Sequence, residues 1–255
     1  MNIFVLLKQT FDTEERIVIK DGEISDDGVK YVMNPYDEYA VEEALLQRDQ
    51  HGGMITVVGV GPDRTAEALR TALAMGADEA VLISNDGLAT DEYTVSRLLA
   101  AYFGQQSYDL IIGGNFSVDS GGGQVAVRLS QLLDIPHTSS ITKMTINGQQ
   151  VTVERDAEGD TETLELSLPA VFTAQQGLNE PRYPSLPGIM KAKKKPFHRI
   201  AVADLGVSDS EAAAKTKRIA LSLPPQRQSG RILQGDYAQQ AAELVHLLRT
   251  EAKLI

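Results

Sequence analysis

Apolar and polar positions follow two alternating patterns along the first half of the chain. Compact apolar runs at 2–7, 54–61, 79–84 and 108–115 are typical of buried strands. The stretches between these runs carry apolar residues at helical spacing, and short polar connectors separate the two kinds of segment. Regular alternation of strand and helix predicts a parallel sheet with helices on both faces, the doubly wound α/β class.

The first of these helices has clear boundaries in the sequence. Asn34 fits the N-cap, Pro35 fits the first helical position, and Gly52 and Gly53 end the segment. The predicted buried stripe consists of Ala40, Val41, Ala44 and Leu45.

The pattern changes after Pro136. Period-two alternation around Asn147-Gly148 and around Glu158-Gly159-Asp160 predicts added antiparallel hairpins, with residues 161–175 as part of them. Residues 200–235 read as an extended, proline-containing arm, and the arm ends in an amphipathic helix. The predicted domains are therefore 1–199 and a C-terminal arm, 200–255. The arm packs on its own domain or on a partner, and its length favours the partner.

A glycine-rich loop follows the fourth strand, at 113–125. Ligands of open parallel sheets bind beyond the carboxyl ends of the strands, and this loop also opens a helix whose first amides suit a phosphate. The alternative is a flexible turn rich in glycine. No lysine with serine or threonine follows the glycines, so this is not a Walker loop, and the first strand lacks a G-x-G-x-x-G motif.

Charge limits the partners of the chain. The formal net charge is −11, but residues 178–199 carry a local balance of +5, which leaves −16 for the rest. Phosphate repulsion makes so acidic a chain a poor binder of nucleic acid. The chain has no cysteine and no apolar run long enough to cross a membrane, so we expect a soluble cytoplasmic protein without membrane insertion.

Catalytic patterns are missing from the sequence. The four histidines are scattered, the serines lack a nucleophile elbow, and no spacing suits a metal. A nucleotide-like loop without a catalytic set predicts a subunit that is not a complete enzyme.

Four segments carry a resemblance to a known family. They are NPYDEYAVEEAL, RTALAMGAD, ERDAEGDTETLELSLPAVFT and GLNEPRYPSLPGIMKAKKKP, and in this order the chain resembles the beta subunit of electron transfer flavoprotein over its whole length. The resemblance implies an adenine-nucleotide-binding, Rossmann-like sheet. It also implies an alpha subunit that holds most of an FAD, and a structural AMP bound by the beta subunit.

The resemblance also assigns residues. Tyr36 matches an aromatic position near the flavin, and Thr13 stands where some relatives carry a tyrosine near the flavin ring. The positions that match the AMP contacts of the family are Leu6, Asn34, Pro35, Tyr36, Asp37, Val60, Gly114, Asn115, Asp119, Gly121, Gly122, Gly123, Gln124 and Val125.

Residues 178–196 match the recognition loop of the family, which anchors acyl-CoA dehydrogenases. Leu186 matches the apolar anchor. The local sequence fits a short helix, since Ser185 can cap it and Pro187 is tolerated in its first turn. Ile189 and Met190 then share a side of the helix with Leu186. The basic residues nearby, including Lys191 and Lys194, can steer the encounter with the dehydrogenase.

The resemblance implies electron transfer from the dehydrogenase, through FAD, to a quinone-linked oxidoreductase. One alternative is a flavin-bifurcating subunit that holds a second FAD in place of AMP. Another is a stand-alone nucleotide-binding regulator or hydrolase, which would be a stable monomer.

Overall fold

The computed structural model describes residues 1–85, 87–227 and 229–255. The chain forms two compact units. The first comprises Met1–Val18 with Ile24–Ile219, and the second comprises Ile19–Glu23 with Ala220–Ile255.

The regular elements are numbered in chain order. The strands are β1 (Asn2–Leu6), β2 (Gln9–Phe11), β3 (Ile19–Lys20), β4 (Glu23–Ile24), β5 (Tyr31–Met33), β6 (Met54–Gly61), β7 (Glu79–Ser84), β8 (Leu110–Gly114), β9 (His137–Asn147), β10 (Gln150–Ala157), β11 (Asp160–Ser167), β12 (Ala170–Ala174) and β13 (Phe197–Ala201). The helices are α1 (Pro35–His51), α2 (Ala66–Met75), α3 (Glu92–Phe103), α4 (Val125–Leu133), α5 (Leu186–Ala192), α6 (Asp209–Ala212) and α7 (Tyr237–Thr250).

A nine-stranded sheet organises the first unit, in the order β11-β10-β9-β12-β8-β1-β6-β7-β13. In this spatial order, each neighbouring pair from β9 to β13 is parallel. The strand β10 pairs antiparallel with both β9 and β11. From β1 the chain proceeds to β6 and β7 on one side, then crosses back to β8 on the other side of β1. The gap between β1 and β8 is therefore a topological switch point, where open α/β sheets bind ligands.

Helices cover both faces of this sheet, as the alternation predicts. One apolar core packs α1 and α2 against the sheet, and the four residues of the predicted α1 stripe are completely buried in it. The other core packs α3 and α4 on the opposite face. The doubly wound α/β prediction is confirmed.

Local sequence explains the element ends. Asp91 caps α3, since its carboxylate accepts the Thr94 amide at 2.9 Å. Gly76 ends α2 with a φ of 143°, a conformation in which a side chain would be strained. Gly148 turns the β9–β10 hairpin with a φ of 62°, where the Asn-Gly pair predicts a tight turn.

The structure corrects two details of the predicted pattern. The predicted turns do join β9 to β10 and β10 to β11, but β12 is a central strand that pairs in parallel with β8 and β9. Its five residues are all buried, so alternation could not identify it. The predicted extended arm, 200–235, is not extended throughout: Val202–Leu205 and Asp209–Ala212 form short helical turns, and Leu205 and Ala212 are buried in the second core.

The second unit contains the C-terminal helix. Asp236 caps α7 by accepting the Gln239 amide at 2.9 Å, and none of the helix residues is buried. Tyr237, Leu244 and Val245 are among its exposed apolar side chains. In the described part of the chain, no helix has the length and apolar character that crossing a membrane requires.

Candidate nucleotide site and docking surface

A buried carboxylate connects three elements at the switch point. Asp37, in the first turn of α1, is 5% exposed. Its carboxylate accepts the Lys8 amide at 2.7 Å, just after β1, and the Gly114 amide at 3.1 Å, at the end of β8. It also accepts the Asn34 side-chain amide at 3.0 Å. Asp37 therefore fixes the carboxyl ends of β1 and β8 relative to the start of α1.

Asn34 stands at the N-cap of α1 as predicted, but its side chain does not cap the helix. Instead, Asn34 Nδ2 donates to the Phe116 carbonyl at 3.0 Å, and Asn34 Oδ1 accepts the Val118 amide at 3.2 Å. The residue uses its donor and its acceptor to hold the glycine-rich loop against α1. A helix-start pattern could not reveal this, because both partners lie more than 80 residues away.

The loop is held a second time through Lys8. Lys8 Nζ lies 2.8 Å from an Asp119 carboxylate oxygen and 3.1 Å from the Ser117 hydroxyl. Burial alone would raise the pKa of Asp119, but the Lys8 ammonium and the hydroxyls of Ser117 and Ser120 together hold it below its ordinary value. The carboxylate therefore stays ionised and orients the loop.

Beyond Asp119 the loop exposes backbone donors. Gly121 and Gly123 have φ of 66° and 60°, which favours glycine at both positions. In the part of the chain that the structure describes, the amides of Gly122, Gly123 and Gln124 donate to no protein acceptor. No acidic residue stands in the first turn of α4, and Arg128 Nη2 donates to the Gln124 side-chain oxygen at 2.8 Å.

Other predicted residues lie around the same edge. Asn115 Oδ1 accepts the Thr173 hydroxyl at 3.0 Å, which ties the loop to β12. The Tyr36 ring lies 4.2 Å from the Phe116 ring, centroid to centroid, with a tilt of 41°. Leu6, at the end of β1, belongs to the core on the α3 and α4 face, and Val60, near the end of β6, is partly buried and packs against that core. Pro35 opens α1, while Gln124 and Val125 open α4.

Thr13 lies apart from the other predicted site residues in sequence and contacts. It lies exposed in the turn after β2, and no hydrogen bond or ring contact among the described residues joins it to Tyr36. Conversely, sequence reasoning did not assign Thr173 to the site, and it gave Lys8 and Phe116 no role beyond their places at a strand end and in the loop. Lys8 offered a signal, because it is a basic residue directly after a buried strand.

The buried position of Asp37 gives a pH prediction. Burial raises the pKa of this carboxyl group from its ordinary 3.8 to about 7, although its three donors act in the opposite direction. Between these values the folded chain binds the proton that the unfolded chain has released, so the stability from protonated Asp37 is lost as the pH rises towards 7. Relative to Asp37→Asn, the thermal midpoint of the unchanged protein should fall as the pH rises from about 4 to about 7. Asp160→Asn, at an exposed position of β11, is the control, and a pH-independent difference for Asp37→Asn would contradict the prediction.

The basic segment forms the predicted short helix, α5. Ser185 caps it by accepting the Gly188 amide at 3.1 Å. Leu186 is 81% exposed, Met190 65% and Ile189 44%, so the three apolar side chains extend into solvent. We call these three residues, with Lys191 and Lys194, the docking surface.

Polar contacts fix the chain on both sides of α5. Before it, Arg182 Nε and Nη2 each donate to a Glu42 carboxylate oxygen at 2.8 Å, and Glu42 is 5% exposed. After it, Lys195 Nζ donates to the carbonyls of Leu73 and Ala77 at the end of α2, at 2.9 Å and 2.5 Å. A side chain at Gly188 would collide with the Ala74 carbonyl oxygen, so α5 packs closely on α2. Arg182 and Lys195 are thus occupied by the scaffold and are not available for steering.

A groove of about 570 Å³ lies at the opposite, amino ends of the central strands. Asn2, Met54, Glu79 and His198 are among its lining residues, and none of the predicted site residues belongs to it. Among the described residues, no group of histidine and acidic side chains has the arrangement of a metal site.

Known proteins are similar to this chain in sequence. A family model described as the electron transfer flavoprotein domain matches residues 21–205. The chain is 55% identical to a Bacillus subtilis (strain 168) protein named electron transfer flavoprotein subunit beta, with all of both chains covered. Proteins of that name from Syntrophomonas wolfei and Mus musculus are 39% and 38% identical. These alignments cover 100% and 90% of this chain, and 98% and 91% of the respective relatives.

Proposed function

The chain belongs to the electron transfer flavoprotein family as a beta subunit, and from this premise we propose that it forms a cytoplasmic heterodimer with an alpha subunit. The heterodimer accepts electrons from acyl-CoA and related dehydrogenases and passes them to a quinone-linked respiratory oxidoreductase. The beta subunit contributes an AMP site, one wall of the FAD site and the docking surface. It is an electron carrier subunit rather than an enzyme in its own right.

The residues at the switch point fit the phosphate end of AMP. The free amides of Gly122, Gly123 and Gln124 meet the start of α4, where the helix dipole favours an anion. Asp119 is paired with Lys8 at 2.8 Å, but the Glu92 carboxylate lies beside Gly122, so the amides of Gly123 and Gln124 are the better donors for an anion. Asn34 and Asp37 hold this loop through hydrogen bonds to the Phe116 carbonyl and the Gly114 amide, which supports its role as the proposed cradle.

The flavin, when bound, supplies the redox chemistry, and the protein supplies its position and electrostatics. Tyr36 is proposed for the flavin side because it stands on the first turn of α1, and its ring is fixed by Phe116. Thr13 lies on a different, exposed turn and remains a proposal from family resemblance alone. The C-terminal arm is proposed to pack on the alpha subunit, in keeping with the exposed apolar residues of α7.

One observation carries the docking role: Leu186 is a highly exposed leucine on a helix that is fixed at both ends. Large exposed apolar side chains that are held rigidly are typical anchors of protein interfaces, because they lose little conformational entropy on binding. Lys191 and Lys194 flank this anchor without a partner among the described residues. They are available to accelerate encounter with an acidic partner surface.

A cofactor count tests the nucleotide assignment. The purified heterodimer is denatured, and the released nucleotides are separated and identified by mass. We expect one FAD and one AMP per heterodimer. Two FAD molecules and no AMP would overturn the AMP assignment in favour of the flavin-bifurcating alternative. A compact, stable monomer of this chain without any alpha partner would instead support a stand-alone nucleotide-binding protein.

A further inference from the structure

A cleft of about 180 Å³ opens between α1, α2 and the segment that leads into α5. Its walls include Glu38 and Tyr39 from α1, Thr71 and Met75 from α2, and Pro181 and Tyr183 from the segment. Tyr183 is 93% exposed and stands three residues before Leu186. The cleft therefore adjoins the docking surface along the chain, but no residue of that surface lines it.

Glu38 is the unusual member of this cleft. In the described residues no hydrogen bond or ion pair engages its carboxylate. Burial raises its pKa, which means that the surroundings penalise the charged form without compensating it. A cation placed in the cleft would relieve this penalty.

The nearby Arg182 does not fill that role. Its guanidinium is engaged by Glu42 through two 2.8 Å hydrogen bonds, and its Nη2 lies 3.8 Å from an Asp49 oxygen. Because Glu42 is buried, breaking this pair would leave an uncompensated charge. Arg182 thus shapes the wall of the cleft, and Glu38 remains the carboxylate open to a ligand.

The other walls also suit a cation with an apolar stem. Tyr39 and Tyr183 are among the residues that line the cleft, and tyrosine side chains can attract ammonium and guanidinium groups. Met75 and Pro181 offer apolar surface to the methylene groups that carry such a charge. A carboxylate, two rings and apolar walls together favour an arginine or lysine side chain over an acidic or purely apolar one.

We propose that this cleft receives an arginine or lysine side chain of the acyl-CoA dehydrogenase that docks on Leu186, with Glu38 as its ion-pair partner. This inference rests on the proposed docking function. The interaction surface then has two components, an apolar anchor on α5 and a cation-accepting cleft that adjoins it. The partner must present a positive side chain at the cleft beside acidic groups that face Lys191 and Lys194. That mixed charge pattern would distinguish the correct partner from a uniformly acidic surface.

The experiment compares purified, FAD-loaded heterodimers as electron acceptors of a short-chain acyl-CoA dehydrogenase reduced by butyryl-CoA. Glu38→Gln should raise the KM of the dehydrogenase for the heterodimer about fivefold, as expected for a partly exposed ion pair, with kcat unchanged. Glu38→Lys should raise the KM further, because it places like charges together. Glu165→Gln, which neutralises an exposed carboxylate on β11, should leave the KM unchanged and serves as the matched control.

Leu186→Ala is measured in parallel to separate this inference from the docking function. A raised KM for Leu186→Ala with no change for either Glu38 variant would overturn the cleft assignment and leave docking intact. No change for any of the three variants would overturn both. Equal effects of Glu38→Gln and Glu165→Gln would show general electrostatic steering and would also overturn the assignment. The FAD content and yield of each heterodimer verify that the variants fold and assemble.

Discussion

Replacing Leu186 with alanine should raise the KM of an acyl-CoA dehydrogenase for the heterodimer about 30-fold, which corresponds to about 2 kcal/mol of lost binding. The leucine is 81% exposed on its own subunit, so the substitution removes little from the folding core. Its helix is capped by Ser185 and held on α2, so the side chain enters a partner with little loss of freedom. Steady-state kinetics with the heterodimer as the varied substrate measures this effect.

Leu132 offers a matched control for this prediction. It is a second exposed leucine, 40% accessible, and it lies near the end of α4 rather than on the docking surface. Leu132→Ala should leave the KM for the heterodimer unchanged, and both variants should retain their full FAD content. Equal kinetics of Leu186→Ala and the unchanged protein would exclude Leu186 as the anchor.

The central sheet could be predicted from the sequence because its signals are local. Apolar runs mark β1, β6 and β7, and glycine and aspartate positions mark the helix ends between them. The β12 strand shows where local signals fail. Its five buried residues look like the second half of a hairpin, since Pro169 and period-two alternation precede it. Only the pairing of β12 with β8, about 60 residues earlier in sequence, identifies it as a central strand.

Some features of the candidate site are visible in the local sequence, whereas others depend on contacts between residues that are far apart in the chain. The glycine-rich loop and the start of α4 could be located because strand ends and helix starts are visible in sequence. The central role of Asp37 could not, because two of its three donors come from Lys8 and Gly114, which are 29 and 77 residues away. An acidic residue in a first helical turn is ordinarily explained by the helix dipole. The burial of Asp37 and its contacts show that it also joins β1 and β8 to α1.

Packing gives the lysines of the basic segment different roles. Sequence alone presents four lysines within 191–195 as one patch. The structure assigns Lys195 to the carbonyls at the end of α2, whereas Lys191 and Lys194 remain exposed. The charge run therefore performs two tasks, since one lysine fastens the helix and others face a partner. Residue type could not separate these tasks, because the difference depends on the position of α2.

Gly114→Ala should destabilise the protein and empty the nucleotide site together. A Cβ at this position would lie 2.8 Å from Tyr36 Cβ and 2.9 Å from the Asp37 amide nitrogen, and it would collide with the Asp37 carboxylate. These atoms belong to the first turn of α1 and cannot move without breaking the hydrogen bonds that join β1, β8 and α1. Overpacking of this kind costs about 1–3 kcal/mol, and the displaced loop should retain less AMP.

Gly104→Ala separates the local collision from the general effect of adding a methyl group. Gly104 has a φ of −60°, and a Cβ there would make only ordinary contacts, the nearest at 3.4 Å to the Ala100 carbonyl oxygen. Alanine at this position restricts the unfolded chain without strain, so it should be neutral or slightly stabilising. Thermal unfolding and AMP content are measured on both heterodimers. If Gly114→Ala matched Gly104→Ala in both measurements, the close approach of β8 to α1 would have no role in stability or nucleotide binding.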